Sequence, residues 1–183
     1  PAYKDEAREY SEIEVIEVIL NKEYGLNRIA EIIMRTIPYP MLLIFKLEDK
    51  IRFYMAHQRT SQSDSSKNTI EEFISTDWLS NDSALFAKLD IKQMRFTNFY
   101  TLYSDIVDAI SIYNLSAIMP TDDTITGAEA RELSAKIEDI EQRIANLRSK
   151  LKKESQFNRK MELNIEIKRL EQSKNKLLGG DDE

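Results

Sequence analysis

MLLIFKLEDKIRFYMAHQ, residues 41–58, decides the fold. Met41 to Leu47 is a nearly unbroken apolar run of strand length, the pattern of a central strand covered on both faces. Glu48-Asp49-Lys50 is a polar turn, and Ile51 to Gln58 reads as a second strand returning beside the first. Upstream, Glu12 to Leu20 (EIEVIEVIL) begins with alternating acidic and β-branched residues and becomes continuously apolar, as a strand buried on one or both faces does. Between these strands a turn, Asn21 to Gly25, leads into Leu26, Ile29, Ala30, Ile33 and Ile37 at helical spacing, with Arg28, Glu31 and Arg35 opposite. Pro38-Tyr39-Pro40 stops that helix, because proline cannot donate to the helical ladder and pushes its predecessor out of helical geometry. The order strand, helix, strand, strand predicts a layered α/β (α+β) core, a small mixed sheet packed with helices.

Downstream, RTSQSDSSKN (Arg59 to Asn68) is polar, serine-rich and aperiodic, a surface loop. Ile70, Phe73 and Ile74, then Leu85, Phe86 and Leu89, predict two short helices. A longer helix follows on Phe99, Leu102, Tyr103, Ile106, Ile110 and Tyr113. Trp78, after the cap-like or turn-like Ser75-Thr76-Asp77, reads as a core anchor rather than a binding platform. PTDDTITG, Pro120 to Gly127, is a linker by composition.

The pattern then changes. Leu133, Ile137, Ile140, Ile144, Leu147 and Leu151 alternate four and three residues apart, the seam of a coiled coil. A second seam, Leu163, Ile167, Leu170 and Leu177 with Lys174 in the remaining slot, is out of phase with the first. A helical hairpin that turns within Glu154 to Asn158 accounts for both seams. The expected organisation is an α/β core domain over 1–119, a linker over 120–127, a C-terminal antiparallel helical (coiled-coil) hairpin over 128–178 and an acidic tail over 179–183. The start at Pro1, close to a strand-like run, reads as a processed chain or a fragment lacking an N-terminal element.

Composition narrows the chemistry. Among 183 residues there is no cysteine, which removes disulfides, thiolate zinc sites, iron–sulfur ligation and a cysteine nucleophile, and fits a reducing cytoplasm. No apolar run reaches the roughly 20 residues of a membrane span, so neither a membrane nor a secretory route is expected. The four glycines, at 25, 127, 179 and 180, cannot form a Walker A loop, a dinucleotide-binding turn or a nucleophile elbow. No cofactor or bound metal is expected, and His57, the single histidine, cannot build a multi-histidine site.

No residue is assigned a catalytic role. The nearest approach is a magnesium-dependent nuclease, for which Glu48-Asp49-Lys50 gives an acidic-x-Lys pattern, with Lys46 close by and Glu14, Glu12 or Glu17 as partner carboxylates. The same pattern recurs at Asp90-Ile91-Lys92 and Glu166-Ile167-Lys168, so it is cheap, and a solvated strand face explains the glutamates more simply. His57 and Arg59 at the end of the second strand form a candidate binding or anion-contact pair, against the plain reading of a hydrogen-bonded edge histidine.

The charge distribution points elsewhere. Net charge is −6, yet residues 127–183 carry 13 basic and 12 acidic side chains, against 13 and 20 before them. Around the hairpin turn Arg148, Lys150, Lys152, Lys153, Arg159 and Lys160 face only Glu154. Lys152, Lys153, Arg159 and Lys160 are therefore the candidate contacts for a polyanion or an acidic protein surface. A solvated helix end, helped by the helix dipole, is the plain alternative.

The phrases EYSEIEVIEV, RTIPYPMLLIF, MAHQRTSQ, TDWL and KLKKESQFNRKMELNIEIKRLE resemble an uncharacterised prokaryotic family, domain of unknown function 4391, over nearly the whole chain. The resemblance implies a further segment ahead of Pro1. It also implies gene neighbourhoods with DNA methyltransferases and helicases of restriction-type phage defence, and it brings no catalytic residues. The expected function is an accessory interaction subunit, with a helicase or methyltransferase as protein partner and nucleic acid as a candidate partner of the hairpin tip. A metal-dependent nuclease is one rival; a homo-oligomer made through the helices is another.

Overall fold

In the computed structural model, which describes residues 1–60 and 68–179, the chain opens with a small antiparallel hairpin, β1 (Tyr3–Lys4) and β2 (Glu9–Tyr10). Its turn closes on Asp5, whose carboxylate accepts from the backbone N–H groups of Ala7 and Arg8 at 2.7 and 2.6 Å. This hairpin escapes the sequence reading, because two-residue strands carry no periodicity. It nevertheless delivers Tyr10, which is completely buried.

The main sheet begins with β3 (Glu14–Ile19), which crosses through α1 (Leu26–Thr36) to the parallel strand β4 (Met41–Leu47). Gly25 precedes α1 with φ of 63°, a left-handed conformation that costs glycine little. Glu48 turns β4 back at φ 55°, and β5 (Lys50–Thr60) runs antiparallel to it. Next comes β6 (Asn68–Ser75), giving a mixed sheet in the order β3-β4-β5-β6.

The strand β6 corrects the helix expected on Ile70, Phe73 and Ile74. Pairing with β5 shifts register between Ala56 and Gln58, so that Glu71 and Glu72 together oppose His57. A bulge of this kind switches the faces that later side chains meet. Ile70 packs with one core cluster and Ile74 with the other, and the inserted residue turns a period of two into a spacing that mimics a helix. Of the expected serine-rich loop, Arg59 and Thr60 belong to β5 and Asn68 to β6, while 61–67 lie outside the described residues. Ser75-Thr76-Asp77 caps no helix. Thr76 instead hydrogen-bonds Phe53 through both hydroxyl and N–H at 3.1 Å, and Leu79 bridges to Ile51.

Each face of the sheet has its own core. On one, Leu26, Ala30 and Met34 of α1 pack against Met41, Leu43, Phe45, Tyr54 and Ala56, with Trp78 at the margin. Beyond α2 (Leu85–Lys88) and a 3-10 turn at Ile91–Gln93, α3 (Phe99–Ser116) covers the other face. There Tyr103, Val107 and Ile110 meet Tyr10, Phe53, Met55, Ile74, Leu79 and Leu85.

Tyr103 does more than fill space. The β4–β5 ladder ends at Leu43↔Tyr54. Beyond that end the Tyr103 hydroxyl accepts from the Ala56 N–H at 3.1 Å and donates towards the carbonyls of Met41 and Ala56 at 2.8 and 3.0 Å. Backbone groups of two central strands, left without ladder partners there, are satisfied by one phenol.

The chain divides into two compact units, Pro1–Asn114 and Leu115–Glu183. In the second, α4 (Gly127–Lys153) starts from a capping box. Thr126 accepts from the Glu129 N–H at 3.2 Å, and the Glu129 carboxylate accepts from the Thr126 N–H at 2.9 Å. Antiparallel to it runs α5 (Phe157–Leu177), so the arms have 27 and 21 residues. Ile144, Leu147, Ile167 and Leu170 form the buried seam, with Ile140, Leu151 and Leu163 partly buried beside it. Lys174, in the seam slot that lacks an apolar residue, reaches Glu141 at 2.5 Å. The fold is α+β, a mixed sheet with helices and a C-terminal antiparallel helical pair. Among the described residues no helix is long and apolar enough to cross a membrane. Of the expected acidic tail, residues 180–183 lie outside the described residues.

Replacing Tyr103 by Phe keeps the ring and removes the hydroxyl, leaving buried backbone groups without partners, at a cost of about 1–3 kcal/mol. Urea denaturation should show that loss with an unchanged slope. Equal stability would mean that the strands satisfy those groups another way.

Candidate functional site

Two places gather the residues singled out in the sequence. The first is the end of β5. His57 sits opposite the β6 bulge, and the Tyr10 hydroxyl lies 2.7 Å from its Nδ1. The same hydroxyl accepts from the Gln58 N–H at 3.4 Å, and burial raises its pKa, so it stays a phenol. The rings of Tyr100 and Tyr103 lie 5.5 and 5.2 Å from the imidazole. Beside them Arg8 grips Glu71 with bonds of 2.8 and 3.1 Å and stacks over Tyr100 at 5.8 Å. His57 is thus half-buried in an aromatic wall on a strand flanked by β4 and β6, while Arg59, two residues on, is exposed. Tyr10, Tyr100 and the Arg8–Glu71 pair were not found from sequence, since they come together from segments far apart in the chain.

The acidic candidates are dispersed. Glu14 pairs in register with Met41 at one end of β4, and Glu48 follows Leu47 at the other. At ~3.3 Å per residue those ends are roughly 20 Å apart, too far to share one cation. Glu17 is tied to Lys46 at 3.1 Å, and Lys50 opens β5 opposite Leu47. Among the described residues no group of three or more histidine or acidic side chains is placed to hold a metal.

The second place is the hairpin tip, and here the structure does bring the predicted residues together. Lys152 and Lys153 end α4, the turn is Glu154-Ser155-Gln156, and Arg159 and Lys160 lie in the first turn of α5. All four cations are exposed. Glu154 accepts from the N–H groups of Ser155 and Gln156 at 2.8 and 2.9 Å. These bonds, with Arg159 and Lys160 nearby, hold its carboxyl below the usual range. Glu154 therefore shapes the turn and offsets one tip charge. Arg159 also reaches Glu162 at 3.5 Å, which leaves Lys152, Lys153 and Lys160 as the less restrained cations. Farther along the arms, Arg148 is paired with Glu171 at 2.7 Å.

One feature of the tip escaped the sequence reading. Phe157, Met161 and Ile165 are 73, 50 and 49% exposed. Their spacing of four is visible in the sequence, but the seam through Leu163, Ile167 and Leu170 already accounts for one helix face and draws attention from the other.

A family model described as "Domain of unknown function (DUF4391)" matches residues 1–173. No curated protein and no solved structure matches the chain.

The Glu154 carboxylate stabilises the turn in its charged form, so its contribution is complete above the ordinary glutamate pKa and is lost as pH falls through the lower folded value. In an NMR titration the Ser155 and Gln156 amides should move together, with a midpoint below that of a free glutamate side chain. A midpoint at the ordinary value would mean that these bonds do not persist in solution.

Proposed function

The chain belongs to the DUF4391 family, and from that premise we propose that it is a non-catalytic interaction subunit of a restriction-type or helicase-containing DNA defence assembly, with the hairpin tip as its anion-binding surface. The observation that carries this reading is the tip itself. Lys152, Lys153, Arg159 and Lys160, from two helix ends, are exposed around one three-residue turn. The last turn of α4 adds Lys150, and the C-terminus of that helix favours Lys150, Lys152 and Lys153, whereas Arg159 and Lys160 stand at the N-terminal end of α5 and gain nothing from its dipole, which leaves them readier for an external anion. Backbone phosphates suit such a cluster, since lysines on flexible stems meet point charges without a fixed geometry. A helicase or methyltransferase as protein partner follows from the gene neighbourhoods implied for the family, and co-purification from the native host tests it.

The tip should bind duplex DNA with little sequence preference, because the reading needs phosphate contacts alone. Three to four neutralised phosphates give a slope of log affinity against log salt of about −2.7 to −3.6. Fluorescence anisotropy across a salt series measures it. A Lys152→Glu/Lys153→Glu/Arg159→Glu/Lys160→Glu variant that binds as the parent does, or a parent that binds no DNA at low salt, would overturn the nucleic-acid contact. Magnesium-dependent DNA cleavage lost in Glu48→Ala or Lys50→Ala would replace this reading by the nuclease.

A further inference from the structure

Phe157, Met161 and Ile165 follow one another at intervals of four on α5, and at 100° per residue they lie roughly opposite the seam residues Leu163, Ile167 and Leu170 that pack on α4. They form a continuous apolar ridge about 12 Å long on the face turned away from α4. Isolated exposed apolar residues are ordinary in proteins; three in one helical row are a surface.

The charge beside the ridge says what fits it. Lys168 stands three residues beyond Ile165 and continues the row, Arg169 borders it, and Lys160 stands three residues beyond Phe157. Lys168 and Arg169 make no salt bridge among the described residues, whereas Glu162, the acid nearest Met161 in sequence, is drawn to Arg159. We propose that this face of α5 docks an acidic amphipathic helix of a partner protein, apolar side chains on the ridge and carboxylates on Lys168, Arg169 and Lys160. The proposal rests on the reading of this chain as an interaction subunit and supplies the chemistry of a protein partner.

Other occupants fit less well. A second copy laid parallel on the same face would bring Lys168 and Arg169 against their own counterparts, and one laid antiparallel about Met161 would set Arg169 against Lys153. A membrane needs apolar area, and here the row gives way to Lys168 after three residues. A helix matches the ridge because side chains four apart form the rows that neighbouring helices interlock with.

The test uses the full chain and a fluorescent helix-forming peptide of about 18 residues, with Leu on one face and Glu on both flanks. Controls are the same peptide with Lys flanks and with Leu replaced by Ser. The Glu-flanked peptide should bind and the controls should not. Phe157→Ser/Met161→Ser/Ile165→Ser should weaken that binding by about tenfold or more while circular dichroism and DNA binding stay unchanged. Lys168→Glu/Arg169→Glu, with the ridge intact, should shift the preference to the Lys-flanked peptide.

Because neither variant alters Lys152, Lys153, Arg159 or Lys160, loss of peptide binding with retained DNA binding separates this proposal from the tip reading. Absence of peptide binding by the parent overturns the proposal, as does equal binding by the triple variant. Sedimentation showing a parent dimer that the triple variant abolishes would assign the ridge to a second copy instead. Binding to anionic lipid vesicles lost in the triple variant would assign it to a membrane.

Discussion

The first unit depends on one hydroxyl group. Where the β4–β5 ladder stops, backbone groups of the two central strands would otherwise be buried without partners, and the Tyr103 phenol supplies them. The bond fixes the depth and rotation of α3 on the sheet, because a ring that must place its oxygen between two strands cannot slide. Tyr10 meets that ring and the ring of Tyr100 edge-on, and His57 is hydrogen-bonded in turn to Tyr10. The polar environment of the single histidine is thus a consequence of how the sheet is closed.

Legibility in the sequence followed the amount of periodicity each element could carry. Met41 to Leu47 appears as a strand with those ends, because a continuous apolar run bounded by Pro40 and Glu48 has few other readings. The hairpin seams were equally plain, since a repeat over 27 and 21 residues leaves little ambiguity. The strand β6 was misread for a specific reason: two glutamates opposing one histidine displace its apolar residues by one position. A bulge is a tertiary agreement between strands, and one strand alone does not announce it. The β1–β2 hairpin was silent for the opposite reason, being too short for any period.

The candidate sites divide in the same way. The tip cations could be foreseen because a turn between two predicted helices places their ends together. The aromatic wall around His57 could not, as it draws on β2, β5 and α3. Glu14 and Glu48 were grouped from residue type alone, and the strand order sets them at opposite ends of β4.

The pairing of Lys174 with Glu141 in the helical hairpin has a consequence for alignment. Apolar seams are tolerant, and leucine and isoleucine zippers can slip by a heptad with little loss of contact. Here slippage is penalised in both directions. Sliding one way carries Lys174 from Glu141 towards Arg148, a like charge; sliding the other way carries it to Ser134 and brings Glu171, now held by Arg148, towards Glu141. A single lysine in the apolar row thereby acts as a vernier, and the two helices can close in one alignment without setting like charges together.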